Sequence, residues 1–184
     1  MPFFVGITGA SGIRLGIRLV EILASIAEVH ACVSSNARLT AAYEAVELSF
    51  PPGVTLWPPE ALHAPLSSGS YRLKGSVIIP CSMGTVGRIA AGISSNLIER
   101  AADVALKERW PLILVPRETP LNTIHLENMA TLSRAGAIIL PPVLTYYHKP
   151  NSIKDMEDFI LGKVLDQLGV KHTLFRRWKG ETQG

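Results

Sequence analysis

Short apolar runs recur along this chain, separated by stretches with helical spacing, and that alternation leaves few folds open. The runs are residues 3–8 (FFVGIT), 28–34 (EVHACVS), 76–80 (SVIIP), 112–115 (LILV) and 137–140 (AIIL). A strand with one face in water alternates apolar and polar residues. Strands that are apolar throughout are covered on both faces, the condition of a parallel sheet with helices packed on each side. Between the first two runs Leu15, Leu19, Ile22, Leu23 and Ile26 fall at helical spacing. Residues 37–48 read as a second helix that carries Glu44. Helical segments run from the turn at Cys81 to Arg109, and residues 122–134 form another helix. Ser152 with Asp155 three residues on resembles a capping box, and Gly169 marks the end of a last helix. The expected fold is α/β: a single doubly wound (Rossmann-like or flavodoxin-like) parallel sheet with helices on both faces, spanning residues 1–184 as one domain. The length fits, since single domains run to about 100–200 residues.

Residues 50–70 break the pattern. Pro51, Pro52, Pro58, Pro59 and Pro65 interrupt both ladder and helix hydrogen bonds. This stretch reads as an irregular surface excursion and not as a domain boundary, because the alternation resumes after it.

Composition narrows the function classes. At 47% hydrophobic and 18% charged residues, disordered, collagen-like and coiled-coil chains are excluded. No apolar run reaches the ~20 residues of a membrane span, and the first residues lack the basic segment of a secretory signal. A cytoplasmic location is expected. A net charge of +3 without a basic tract makes nucleic-acid binding a weak reading. The two cysteines, Cys32 and Cys81, fit neither a zinc-ligand pattern nor a disulfide framework, so no metal site is expected and both read as small core residues. Trp57 and Trp110 read as packing residues, and His125 as packed or hydrogen-bonded. The tail from Phe175 to Lys179 reads as an oligomer contact or a solvated end.

Ligands of doubly wound sheets bind at the carboxyl ends of the strands. Here those ends carry Gly9-Ala10-Ser11-Gly12, Ser34-Ser35-Asn36, Cys81-Ser82-Met83-Gly84-Thr85, Arg117-Glu118-Thr119 and Tyr146-Tyr147-His148. The first turn suits an anion, since small residues admit close backbone approach and a helix N-terminus offers free N–H groups. A simple N-cap at Ser11 without a ligand fits that turn equally well. The glycines match neither a dinucleotide nor a Walker A pattern, and Ser34 stands where a ribose-binding carboxylate would be. A mononucleotide phosphate is the preferred ligand. Arg100 and Lys107, seven residues apart, share a helix face. The alternative for them is an Asp103–Lys107 ion pair in solvent. With Arg117 they would surround Glu118, ionised by their attraction, in a site able to manage phosphate departure and proton transfer.

Together these motifs resemble the UbiX-type flavin prenyltransferases. The resemblance rests on Arg100-Ala-Ala-Asp-Val-Ala-Leu-Lys107-Glu-Arg109, Pro116-Arg-Glu-Thr-Pro120 and His125-Leu-Glu-Asn-Met129. Gly9-Ala-Ser-Gly12, Ser68-Gly69-Ser70, Pro80-Cys-Ser-Met83 and Tyr147-His-Lys-Pro150 add to it, and it spans Val5 to Trp178. It implies transfer of a dimethylallyl group from dimethylallyl phosphate to N5 and C6 of reduced FMN, the prenyl acceptor, without a metal. The product, prenylated FMN, would pass to a UbiD-type decarboxylase. It implies FMN binding by Gly9, Ala10, Ser11, Ser34, Ser82, Met83, Gly84, Thr85 and Arg117. Tyr147 and Lys163 would hold the prenyl phosphate with Arg100, Lys107, Ser68 and Gly69 near it. Glu118, and with it Glu44, would move protons, and Tyr71 is a candidate π face for the allyl cation or else an ordinary surface tyrosine. Lys163 stands where many members carry Arg, so charge is kept and the bidentate fork is lost. The resemblance further implies a homo-oligomer, trimer-based and up to a dodecamer, with sites shared between subunits. The alternatives are a flavin-dependent cysteine decarboxylase-like enzyme and a non-catalytic FMN carrier.

Overall fold

The computed structural model describes residues 1–178, so Lys179 of the tail lies outside the described residues. The chain divides into two compact units, Met1–Pro141 and the segment from Pro142 onward.

In the first unit six strands form one parallel sheet: β1 (Phe3–Ile7), β2 (Val29–Val33), β3 (Thr55–Trp57), β4 (Gly75–Cys81), β5 (Leu112–Pro116) and β6 (Ile138–Ile139). Their order is β3-β2-β1-β4-β5-β6, the doubly wound arrangement in which the chain reverses direction between β1 and β4. β1, β2, β4 and β5 are buried at every position, as their uninterrupted apolar runs predict. Side chains alternate between the two faces. Phe4 and Ile78 lie in one core with Leu97, Ile98, Ala101 and Ala105 of α4 (Leu97–Glu108). α1 (Ile13–Ala24) packs against β1 and β4 through its own buried stripe of Ile13, Leu19, Val20 and Leu23.

α2 spans Ser35–Tyr43 and ends five residues before the expected limit, with Glu44 as its C-cap. α3 (Met83–Ala90) follows the β4 turn, and α5 (Thr123–Arg134) opens with Asn122 as its cap. His125 completes a capping box there: its Nδ1 accepts from the Asn122 N–H, and Asn122 Oδ1 accepts from the His125 N–H at 2.8 Å.

The proline-rich excursion is only partly irregular. It contributes β3, which pairs with β2 through His30↔Thr55 and Cys32↔Trp57. The anchor is a side-chain chain of hydrogen bonds. Trp57 Nε1 donates to His30 Nδ1 at 3.0 Å, which leaves the His30 hydrogen on Nε2, 2.8 Å from Tyr71 Oη. The Trp57 bond requires a neutral ring, and burial lowers the His30 pKa in the same sense, with Glu28 partly opposing. Trp57 and Trp110 pack against the core, and both cysteines are free and buried. Burial first, with Glu60 adding, pushes the Cys32 thiol up to about 12, and burial raises Cys81 likewise.

The second unit holds α6 (Ile153–Gln167). The Ser152 side chain accepts from Asp155 N at 3.1 Å, and Asp155 Oδ2 accepts from Asn151 N at 2.8 Å, a variant of the expected capping box. Gly169 follows Leu168 at φ 67, as a C′ residue does. Among the described residues no helix is long and apolar enough to cross a membrane.

Candidate functional site

Where the chain reverses between β1 and β4, a cleft of about 260 Å³ opens at the carboxyl ends of the strands. Thr8 and Gly9 come from the end of β1, and Ser34, Ser35 and Asn36 from the start of α2. Ser82, Thr85 and Arg88 come from α3 and its cap, Asn96 and Ile98 from the start of α4, and Pro59 and Glu60 from the excursion.

Local hydrogen bonds fix this lining. Thr8 Oγ1 donates to Pro80 O at 2.9 Å and accepts from Ser82 N at 2.8 Å, tying β1 to β4 where they diverge. Ser34 Oγ caps α2 by accepting from Ala37 N at 3.1 Å, and Ser82 Oγ caps α3 by accepting from Thr85 N at 3.3 Å. Two helix N-termini therefore meet the cleft with their partial positive ends. Gly9 permits the approach, since a Cβ there would stand 2.5 Å from Asn36 Cβ. The arrangement offers hydroxyls, backbone N–H groups and one guanidinium to an anionic ligand.

The N-terminus of α1 is used differently from the expectation. Its N-cap is Gly12 (φ 100), with no side-chain cap from Ser11. The Glu44 carboxylate accepts from Gly12 N at 2.8 Å and from Ile13 N at 3.0 Å. The anion on this helix end is thus a side chain of the protein itself. Within the chain Glu44 is a cap for α1, which holds the Gly9–Gly12 turn in place. Glu44→Ala is expected to lower stability by about 1–2 kcal/mol through these lost bonds, read as a reduced urea midpoint at unchanged m-value.

The other expected site residues are distributed as follows. Ala10 is buried and Ser11 exposed in the first turn, while Met83 and Gly84 open α3 beside the cleft. Arg117 N donates to Cys81 O at 3.1 Å, which sets Arg117 at the end of β5 next to the Ser82 cap. Its Nε is buried and has no hydrogen-bond partner. Glu118 is exposed beside it, with Oε1 accepting from Thr119 N at 3.0 Å.

Arg100 and Lys107 each have a carboxylate partner on α4 itself. Arg100 pairs with Asp103 at 2.6 Å and donates through Nε to Ser67 O at 3.1 Å. Lys107 pairs with Glu108, and the Asp103–Lys107 pair is not formed. Both Lys107 and Glu108 lie against Gly69, where a Cβ would stand 2.6 Å from Lys107 Nζ. Ser68 Oγ bonds Ser70 Oγ at 2.8 Å in the same loop. Lys107 belongs to the last turn of α4, which feeds the amino end of β5. At ~1.5 Å rise per residue it is roughly 16 Å from Asn96 at the cleft. Lys107 thus stands at the opposite end of α4 from the cleft, while Arg100 lies one turn from Asn96. Tyr71 is also removed from the cleft: its hydroxyl is tied to His30, the second residue of β2, so it serves as a packing residue.

In the second unit Tyr147 meets Phe159 edge-on at 5.8 Å and Trp178 at 5.9 Å. Lys163 stands 3.9 Å from Asp166. The bidentate Arg177, with His172, holds the Asp166 carboxyl below its usual range despite burial.

Sequence reading missed Arg88, Asn96, Thr8 and Glu60. Thr8 and Asn96 carry the ordinary signals of a strand end and a helix cap. Glu60 was hidden in the excursion, and Arg88 has no local signal at all.

The chain matches the family model described as Flavoprotein over residues 1–165. It is 48% identical to a flavin prenyltransferase UbiX of Alkalihalophilus pseudofirmus, covering 95% of this chain and 94% of that protein. The crystal structure of AnUbiX in complex with FMN and dimethylallyl pyrophosphate superposes with a TM-score of 0.92 at 41% identity, covering 98% of each chain. The chain belongs to the UbiX flavin prenyltransferase family. A second UbiX-like structure, a dodecameric FMN-dependent UbiX-like decarboxylase from Escherichia coli O157:H7, has a TM-score of 0.91 at 41% identity, covering 98% of this chain and 100% of that one. The UbiX-type motifs at residues 100–109 and 116–120 thus sit on α4 and at the end of β5 in the doubly wound fold expected of them.

Proposed function

We propose that this chain is a flavin prenyltransferase, transferring a dimethylallyl group from dimethylallyl phosphate to N5 and C6 of reduced FMN. The observation that carries the reading is the cleft between β1 and β4, lined by hydroxyls and two helix N-termini, in a chain so close to a protein crystallised with FMN and dimethylallyl pyrophosphate. The residues fit FMN. Gly9, Ser34, Ser82 and Thr85 supply an anion cradle, with Ala10, Ser11, Met83 and Gly84 in the adjoining turns. The buried, unpartnered Arg117 Nε is a donor awaiting an acceptor.

FMN, when bound and reduced, supplies an electron-rich acceptor for the allyl group. The chain's own residues do the rest. Cleavage of the allylic C–O bond leaves a phosphate anion, which cations and hydroxyls stabilise. Arg100, Lys107, Lys163, Tyr147, Ser68 and Gly69 are assigned to that phosphate, and Glu118 takes up or returns a proton at its carboxylate. Glu44 contributes by fixing the first turn.

A cleft of about 260 Å³ falls below the roughly 300–1,000 Å³ of sites that enclose a small ligand. A neighbouring subunit completing it fits the distant position of Lys107. A trimer-based homo-oligomer, up to a dodecamer, is accordingly part of the reading, as are a single flavoprotein domain, a cytoplasmic location and a UbiD-type decarboxylase receiving the product. The family model crosses the boundary between the two units, which supports one domain.

The test is to mix the protein with reduced FMN and dimethylallyl phosphate without oxygen and weigh the released flavin. A mass increase of one prenyl unit is expected. Flavin that binds and returns unmodified would favour the carrier reading instead.

A further inference from the structure

We infer that Arg88 recognises the phosphate group of the flavin mononucleotide, and that buried Glu99 positions it for that purpose. This rests on the FMN reading above and names the residue through which the chain tells FMN from an uncharged flavin.

Arg88 lies one turn beyond Thr85 on the same face of α3 and lines the cleft. Among the described residues it is the one basic side chain of that lining; Glu60, exposed, is the one acidic one. The other polar groups there are neutral, so without Arg88 the cleft would present a net negative charge to a phosphate.

The guanidinium is held from behind. Its Nε donates to Glu99 Oε1, and the Glu99 side chain is 0% exposed. The other carboxylate oxygen accepts from Ser95 N at 2.9 Å and from Ser95 Oγ at 2.5 Å. Burial acts to raise the Glu99 pKa, and the hydrogen bonds from Ser95 and Arg88 more than offset it, so the carboxyl stays ionised. Arg88 Nη2 lies 3.4 Å from Thr85 Oγ1, and Nη1 passes over Gly84, 3.3 Å from where a Cβ would be.

A guanidinium carries five N–H donors in a planar fork. Glu99 takes the inner one, Nε–H. The outer donors project from a side chain that is 44% exposed, beside the Ser82 and Thr85 hydroxyls and the α3 N-terminus. That fork matches two oxygens of a phosphate. A carboxylate buried solely to be neutralised would not need a partner that reaches into the ligand cleft.

The competing explanation is that Arg88 only neutralises Glu99. Two variants separate them. In Arg88→Gln with Glu99→Gln, an amide pair replaces the ion pair, and no buried charge is left unpaired. Arg88→Lys keeps the charge without the fork. Affinities of the flavin-free full chain for oxidised FMN and for riboflavin are read from flavin fluorescence. The unaltered chain is expected to prefer FMN. The double variant should lose about 10- to 100-fold in FMN affinity, the worth of a charged hydrogen-bonding contact, with riboflavin changed less than about threefold by the same scale. Arg88→Lys should fall between, and the FMN preference of the unaltered chain should shrink with added salt. An unchanged FMN-to-riboflavin ratio in the double variant, or an equal loss for both flavins, would overturn the assignment of Arg88. If the unaltered chain bound neither flavin, the FMN reading itself would fall.

Discussion

Glu118→Gln is expected to bind FMN as tightly as the unaltered chain and to transfer the prenyl group about 10²- to 10⁴-fold more slowly, the usual worth of a positioned proton acceptor or donor. The geometry makes this a clean substitution. Glu118 follows Arg117, whose backbone N–H is fixed to Cys81 O at 3.1 Å, so the end of β5 is anchored before the side chain begins. One carboxylate oxygen accepts from Thr119 N at 3.0 Å. A glutamine carbonyl oxygen can accept the same bond at the same volume. What the amide cannot do is take up a proton. Single-turnover rates without oxygen, measured beside FMN affinity, separate the outcomes. Prenylation at full rate would remove Glu118 from proton transfer. A parallel loss of FMN would make it a binding residue.

The sheet was legible because its four long strands are almost wholly apolar on both faces and alternate with helical segments, the pattern of a covered parallel sheet. β3 was not. Its residues Thr55, Leu56 and Trp57 are exposed or half-buried at the sheet edge, among five prolines. It is held by Trp57 donating to His30, a contact across 27 residues. The site divides in the same way. Gly9, Ser34, Ser82 and Thr85 could be placed because small and hydroxylic residues directly follow apolar runs, and strand ends are where such a fold binds ligands. The capping role of Glu44 and the ion pair of Arg88 could not, since their partners are distant in sequence. Glu44 reaches Gly12 across 32 residues, and Arg88 reaches Glu99 on another helix. Helical spacing put Arg100 and Lys107 on one face. The same spacing left Asp103 open to either, and the structure pairs Asp103 with Arg100 and Glu108 with Lys107.

Lys107→Met is expected to leave FMN binding intact and to slow prenyl transfer about 10²- to 10³-fold, the cost of removing one group that stabilises developing charge. Within its own chain Lys107 cannot reach the cleft, because it ends α4 beside Gly69, roughly 16 Å along the helix from Asn96 at ~1.5 Å per residue. If it acts on the departing phosphate, it acts in a neighbour's site. Subunit mixing tests this. Gly9→Val should block the cleft, since even a Cβ there meets Asn36 at 2.5 Å, while leaving Lys107 in place. Each variant alone should be nearly inactive. Chains of both kinds expressed together should regain activity, because some sites then combine an intact cleft with an intact Lys107 from the next subunit. With random assembly of equal amounts, roughly a quarter of the sites are whole in a symmetric oligomer whose sites span two chains. Recovery well above either parent supports a shared site. No recovery, with mixed oligomers shown to form, would confine each site to one chain and leave Lys107 without access to the phosphate. Full activity of Lys107→Met alone would remove the residue from the reaction.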